Sequence, residues 1–203
     1  QPKLVLIDPK TLVTLPKREF KAGMAEIIKY GVISDLELFE LLENLDNISD
    51  LSGIEEKLLR EVIERSAKSK AKIVTKDEKE SGVRAFLNYG HTFGHVIENL
   101  CGYGKWLHGE AVAMGMVAVG QLALQRGLWK DIDAKRQKKL IEKAGLPSKW
   151  PELELENVLR TLQGDKKVKN GKISFVMPLR IGEVKIFNNI SNQEIHECLQ
   201  KLS

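Results

Sequence analysis

The stretch Gly109-Glu-Ala-Val-Ala-Met-Gly-Met-Val-Ala-Val-Gly-Gln-Leu-Ala-Leu-Gln-Arg126 carries apolar residues nearly all round a helical projection. A helix without a polar face belongs inside a core. Its uninterrupted apolar run, Ala111 to Val119, is far too short to cross a bilayer. The rest of the chain must therefore wrap this segment. With 203 residues, 42% apolar and 30% charged, it can do so as one globular domain, and neither a disordered tail nor a fibrous repeat fits.

Working upstream, His91 to Leu100 reads as a helix, and Ile54 to Thr75 as a long one with Leu58, Leu59, Val62, Ile63, Ala67 and Ala71 on one stripe. Between them, Asp77-Glu-Lys-Glu-Ser-Gly82 breaks the period as a loop. Glu19 to Tyr30 spaces Phe20, Met24, Ile27 and Ile28 helically after a turn at Thr14 to Arg18, and Ser34-x-x-Glu37 predicts a capping box opening a further helix. Lys3-Leu-Val-Leu-Ile-Asp8 reads as a strand entered without a cap or turn, as if the chain were cut from something longer. Downstream, Asp133 to Ala144 and Glu154 to Leu162 predict short helices separated by Pro147 and Pro151. Ile173–Met177 and Glu183–Phe187 flank a turn at Pro178 to Gly182 as a β-hairpin, and Ser191-x-x-Glu194 caps a last helix. The expected fold class is mainly α, a helical domain with a small β-hairpin.

Net charge is +4, from 32 Lys+Arg against 28 Asp+Glu mixed along the sequence, which does not point to nucleic acid or to a membrane as partner. Two distant cysteines, Cys101 and Cys198, and no signal peptide suit a reducing cytoplasm.

Of four histidines, His91, His95 and His108 fall close together. His91 and His95 stand at i and i+4 on one helical face, where two imidazoles can converge on one object or simply lie on a surface. Three features favour a site: Gly90 and Gly94 beside the histidines, His108 at the start of the buried helix facing the core, and the acid Glu26 among apolar neighbours, where a carboxylate wants a partner. The His-Glu-x-x-His zincin pattern is not met because Thr92 occupies the general-base position. Two histidines plus a carboxylate with an open fourth position is nonetheless a catalytic zinc set. Lys29, Lys70, Glu80, Arg84 and Asn88 form a polar group that is either solvated surface or a set of donors to a polyanion. Gly164 to Gly171 reads as an exposed hairpin approach or as another anion-contacting loop.

Taken in order, Leu15-Pro-Lys-Arg-Glu-Phe-Lys-Ala-Gly-Met-Ala-Glu-Ile-Ile-Lys29, Asp77 to Arg84, Leu87-Asn-Tyr-Gly-His-Thr-Phe-Gly-His95, His108-Gly-Glu-Ala-Val112 and Asp165-Lys-Lys167 resemble the C-terminal domain of the 3-dehydroquinate synthases. The resemblance implies zinc, with Co2+ as an alternative, held by Glu26, His91 and His108. It implies His95 as a proton-transfer group rather than a ligand, and Glu80 as a second proton-handling residue. Lys29, Lys70, Arg84, Asn88 and Lys166 match positions that grip the phosphate, carboxylate and hydroxyls of a seven-carbon sugar phosphate. In that family 3-deoxy-D-arabino-heptulosonate 7-phosphate is oxidised by NAD, loses phosphate by β-elimination, is re-reduced and recloses as the carbocycle 3-dehydroquinate, a step of aromatic amino acid biosynthesis.

The family also implies a homodimer and an N-terminal NAD-binding domain, whose Gly-x-Gly-x-x-Gly fingerprint does not follow a strand in this sequence. Residues 1–203 then represent the metal and substrate domain, expected to be inactive alone. The competing readings are another sugar-phosphate cyclase of the same superfamily, a more distant metal-dependent alcohol dehydrogenase, and a non-enzymatic helical interaction module.

Overall fold

A computed structural model describes residues 3–79, 82–102, 104–164 and 173–202. Among the described residues, eight α-helices, α1 (Lys17–Ser34), α2 (Leu36–Asn44), α3 (Glu56–Lys76), α4 (His91–Cys101), α5 (His108–Gln125), α6 (Asp131–Lys143), α7 (Leu155–Gly164) and α8 (Asn192–Gln200), accompany one hairpin of β1 (Phe175–Arg180) and β2 (Glu183–Phe187). The mainly α expectation holds.

The apolar stretch around Met114 is α5, and its composition follows from its position. It packs against α1, α4, α6, α8 and β1, so most of its circumference meets protein, and only the stripe of Val117, Gln121, Leu124 and Gln125 is half-buried. Thirteen of its residues, from Gly109 to Ala123, are buried. The close approach depends on absent side chains. A Cβ on Gly109 would lie 1.9 Å from the Ala22 carbonyl oxygen of α1, and one on Gly115 would lie 2.0 Å from the Gly90 carbonyl oxygen before α4. The chain's far end closes the opposite side, where Cys198 Sγ of α8 donates to Ala118 O at 3.3 Å and Gln125 Nε2 donates to Glu197 Oε2 at 3.0 Å.

Several local expectations are corrected. Among the described residues, Lys3 to Asp8 pairs with no strand and is not itself one, and Leu4 and Leu6 are 82% and 88% exposed. Asp8 instead caps a 3-10 turn over Pro9–Thr14, and α1 begins at Lys17, earlier than Glu19. Ser34 is not the cap of α2. It ends α1, donating its hydroxyl to Tyr30 O, while Asp35 Oδ1 accepts from Leu38 N at 3.0 Å. Asp35 is the residue whose non-helical backbone leads into the first turn of α2, so its side chain, and not that of Ser34, reaches an orphan N–H there. On α3 the stripe holds at Leu59 and Val62, but Ala71 is exposed and Ile73 is buried in its place. Pro178 lies within β1 opposite Val184, and only Ile181 and Gly182 turn the chain. A two-stranded sheet has only edge strands, where proline's missing donor is tolerated. The Ser191 to Glu194 capping box is present as expected.

Candidate metal centre

Glu26 and Lys29 stand one turn apart on α1, and Lys29 Nζ reaches Glu26 Oε2 at 2.6 Å. Lys29 is only 3% exposed. Burial pulls its ammonium below the ordinary lysine range, and the attraction of Glu26 restores part of the loss. Burial would raise the Glu26 carboxyl, but the charge and hydrogen bond of Lys29, with smaller contributions from His91 and His108, together hold it below its usual range. This pairing satisfies one carboxylate oxygen. The other, Oε1, is buried with no hydrogen-bond partner among the described residues.

His91 faces that oxygen. Gly90, at φ 78°, turns the chain into α4 so near α5 that a Cβ would lie 2.6 Å from Met116 Cγ and 2.9 Å from Val112 O. Gly94, the other glycine of the motif, lies against the Ala111 backbone. His91 Nδ1 lies 3.0 Å from the Tyr89 carbonyl, an acceptor only, so Nδ1 carries the proton and Nε2 presents a lone pair. That Nε2 is 3.5 Å from Glu26 Oε1. Burial, followed by repulsion from Lys29, pushes His91 down to about 4, so it is neutral at physiological pH. Two acceptors therefore confront each other with no proton between them. A cation would satisfy both.

The third group arrives from α5. His108 is the first residue of that helix, and its side chain is 49% exposed, so it faces the α4 histidines rather than the core as expected. Its Nδ1 lies 3.0 Å from Glu98 Oε1, which leaves Nε2 as the nitrogen open to a cation. Ligand atoms of Glu26, His91 and His108 lie within 4.8 Å of one another. His95, Glu98 and His108 form a second such group sharing His108, but there Glu98 already accepts from His108. The first set has the unsatisfied buried oxygen, and its two nitrogens and one carboxylate suit a zinc-type ion. The His91 ring is 5.1 Å from that of His108 and 5.7 Å from that of His95.

Beside this cluster lies a cavity of about 230 Å³ lined by Glu26, Lys29, Tyr30, Lys70, Arg84, Leu87, Asn88 and His91. Four elements or turns supply it: α1, α3, the 3-10 turn Val83–Asn88 and α4. Asp77 Oδ2 orders the turn by accepting from Gly82 N at 2.6 Å and Arg84 N at 3.0 Å, and the Arg84 guanidinium donates to Glu78 O. Glu80 and Lys166, both expected at the site, and residues 165–172 as a whole lie outside the described residues. A larger groove of about 430 Å³ at Trp150 to Leu155 and α8 offers only Glu152, Glu154 and His196 as titratable lining groups. The chemistry concentrates in the smaller cavity.

Three contributors escape a reading of the sequence: the Tyr89 carbonyl, Glu98, and the clasp of Arg18 on Glu110. Glu98 was discoverable, since it follows His91 and His95 at i+7 and i+3 on the same helical face. Arg18 Nε and Nη2 donate to Glu110 Oε1 and Oε2 at 2.8 and 2.7 Å, while Leu107 N donates to Glu110 Oε2 at 2.8 Å. Leu107 has no side-chain acceptor, so Glu110 alone supplies the side-chain cap at the start of α5. This fixes the turn that carries His108. Burial would raise the Glu110 carboxyl, but the Arg18 and Leu107 hydrogen bonds and the Arg18 charge prevail and lower it from 4.5. The resulting stabilisation is complete above that value and lost as pH falls through the lower folded-state value. Glu110→Gln is expected to cost about 1–3 kcal/mol near neutrality, with the gap from the unsubstituted chain narrowing in acid. Urea titrations across pH check this; a gap that widens in acid contradicts it.

The fold is that of the sugar-phosphate cyclases. The 2-epi-5-epi-valiolone synthase of Streptomyces hygroscopicus subsp. jinggangensis 5008, solved with NAD+ and Zn2+ bound, matches 97% of this chain and 54% of its own, with TM-score 0.88 and 28% identity. A 2-deoxy-scyllo-inosose synthase, complexed with carbaglucose-6-phosphate, NAD+ and Co2+, shares the fold at TM-score 0.79 and 24% identity, over 96% of this chain and 55% of its own. Within this class, the chain belongs to the 3-dehydroquinate synthase C-terminal family, whose model matches residues 23–168. It is 85% identical over its whole length to the 3-dehydroquinate synthase of Prochlorococcus marinus (strain NATL2A), of which it covers 55%. To that of Synechococcus sp. (strain CC9605) it is 59% identical over 202 residues, 54% of that protein. The chain thus spans about half the length of the curated relatives it matches.

Proposed function

We propose that this chain is the metal- and substrate-binding part of a 3-dehydroquinate synthase, converting 3-deoxy-D-arabino-heptulosonate 7-phosphate to 3-dehydroquinate and phosphate. The observation that carries this reading is the cavity in which Glu26, Lys29, Lys70, Arg84, Asn88 and His91 meet beside an unsatisfied buried carboxylate oxygen. Glu26, His91 and His108 would hold zinc, or Co2+ in its place. NAD would be bound mainly by an N-terminal domain of the longer protein. When bound, the metal supplies Lewis acidity toward a substrate oxygen and NAD accepts and returns hydride.

The chain's own residues do the rest. Lys29 and Lys70 bring point charges to the phosphate and Arg84 brings a planar fork suited to the carboxylate. Asn88 can donate to a hydroxyl. His95, outside the lining of the cavity but one turn from His91, and Glu80 handle protons. Lys166 adds a further cation. Assembly as a homodimer in the cytoplasm follows from the family reading.

The test is an assay of dehydroquinate formation with NAD and zinc, using the chain alone and then with its separately expressed N-terminal half. Turnover is expected only from the combination; turnover by the chain alone would defeat the two-part reading. In the combined enzyme, Arg84→Lys should lower kcat/KM by about 10–100-fold, the value of a charged hydrogen-bond pair. Unchanged kinetics would remove Arg84 from the site. Preference for a sugar phosphate lacking the carboxylate would favour another cyclase activity.

A further inference from the structure

We propose that Glu98 is a positioning residue for the metal centre, holding the His108 imidazole so that Nε2 points toward Glu26 and His91. This rests on the reading of Glu26, His91 and His108 as metal ligands.

The two imidazoles of that set are held by different devices. His91 is 13% exposed and fixed by a backbone carbonyl, that of Tyr89, which no side-chain substitution removes. His108 sits at the very start of α5 with half its side chain in solvent, and its hydrogen bond runs to Glu98, ten residues earlier on α4. Glu98 itself is 20% exposed, so this contact is shielded more than the ring it holds. An acceptor opposite Nδ1 selects the tautomer with the proton there and makes Nε2 the lone-pair nitrogen. A carboxylate in that place also raises the donor strength of Nε2. Removing it leaves a half-exposed ring able to swing into solvent, at an entropic cost on every binding event.

A rival role for Glu98 is direct ligation within the group His95, Glu98 and His108. The two roles differ in what glutamine can replace. An amide oxygen still accepts from Nδ1–H but is a poor ligand for zinc. As a positioning residue, Glu98 should therefore be rescued by Glu98→Gln; as a ligand it should not.

The experiment measures Zn2+ affinity of the 203-residue chain by chelator competition, with the visible spectrum of the Co2+-loaded chain as a second readout. Glu98→Ala is expected to weaken Zn2+ binding by about 10–100-fold and to alter the Co2+ bands. Glu98→Gln should recover most of the affinity, and His95→Ala should leave it unchanged. Glu98→Ala with undiminished affinity would overturn the proposal. So would a loss as large as that of Glu26→Ala with no recovery by glutamine, which would make Glu98 a ligand. If the unsubstituted chain bound no stoichiometric Zn2+, the metal-site reading would fail and this proposal with it. The isosteric glutamine variant keeps the comparison valid should the alanine variant fold poorly.

Discussion

His91→Ala should abolish stoichiometric zinc binding, whereas His95→Ala should leave about one zinc per chain. The contrast is large because His91 lies between the other two candidate ligands: its Nε2 is 3.5 Å from Glu26 Oε1 and its ring packs on that of His108. Losing a direct ligand should cost more than the roughly 10–100-fold typical of an outer-shell change. Glu26→Ala should be as damaging to the metal, but it is a less clean probe. It also strands Lys29, buried at 3% exposure, without its counter-charge, and breaking such a pair costs about 3–5 kcal/mol of stability. His91, neutral at physiological pH, carries no such debt. Equilibrium dialysis or chelator competition on the purified variants decides the matter. Zinc lost with His95→Ala but retained with His108→Ala would reverse the assignment.

The second large effect concerns Gly109. Glycine inside a helix ordinarily costs about 1 kcal/mol relative to alanine, so Gly→Ala should stabilise. At Gly109 the added carbon would lie 1.9 Å from Ala22 O and 2.6 Å from Ala22 C, both backbone atoms with no rotamer to yield. Gly109→Ala is therefore expected to destabilise by about 3 kcal/mol. It should also weaken zinc binding, because prising α1 from α5 separates Glu26 from His108. Gly23, on α1 with nothing within 4 Å of its Cβ position, is the control: Gly23→Ala should gain up to about 1 kcal/mol. Urea unfolding of the two variants tests the pair, and equal stabilities would mean the helices can part at no cost.

Much of this architecture was legible because it is periodic. The apolar stretch of α5, the Phe20, Met24 and Ile28 stripe of α1 and the capping box of α8 express local rules that neighbours do not override. Elements whose fate depends on a remote partner were not legible. Lys3 to Asp8 has the composition of a strand and no ladder to join among the described residues, and which of Ser34 and Asp35 caps α2 turns on a one-residue offset in where α1 ends. At the site, the histidine pair was visible from spacing, but the choice of Glu26 with His91 and His108 came from family resemblance. The geometry supplies an independent reason in the unpartnered Oε1. The Tyr89 carbonyl could not have been foreseen, since every residue has one and only the fold aims it.

The packing of α5 among five other elements has a consequence during synthesis. Its covering partners come from both directions along the chain: α1 and α4 precede it, but β1 and α8 follow, the last ending 75 residues beyond Gln125 at Gln200. At about 5–20 residues per second, a ribosome needs about 4–15 s to add them. Throughout that interval the nascent chain has emitted all three candidate metal ligands while one flank of its most apolar helix remains bare. Chaperone capture of the emerging polypeptide should therefore peak after α5 and fall only once α8 has cleared the exit tunnel.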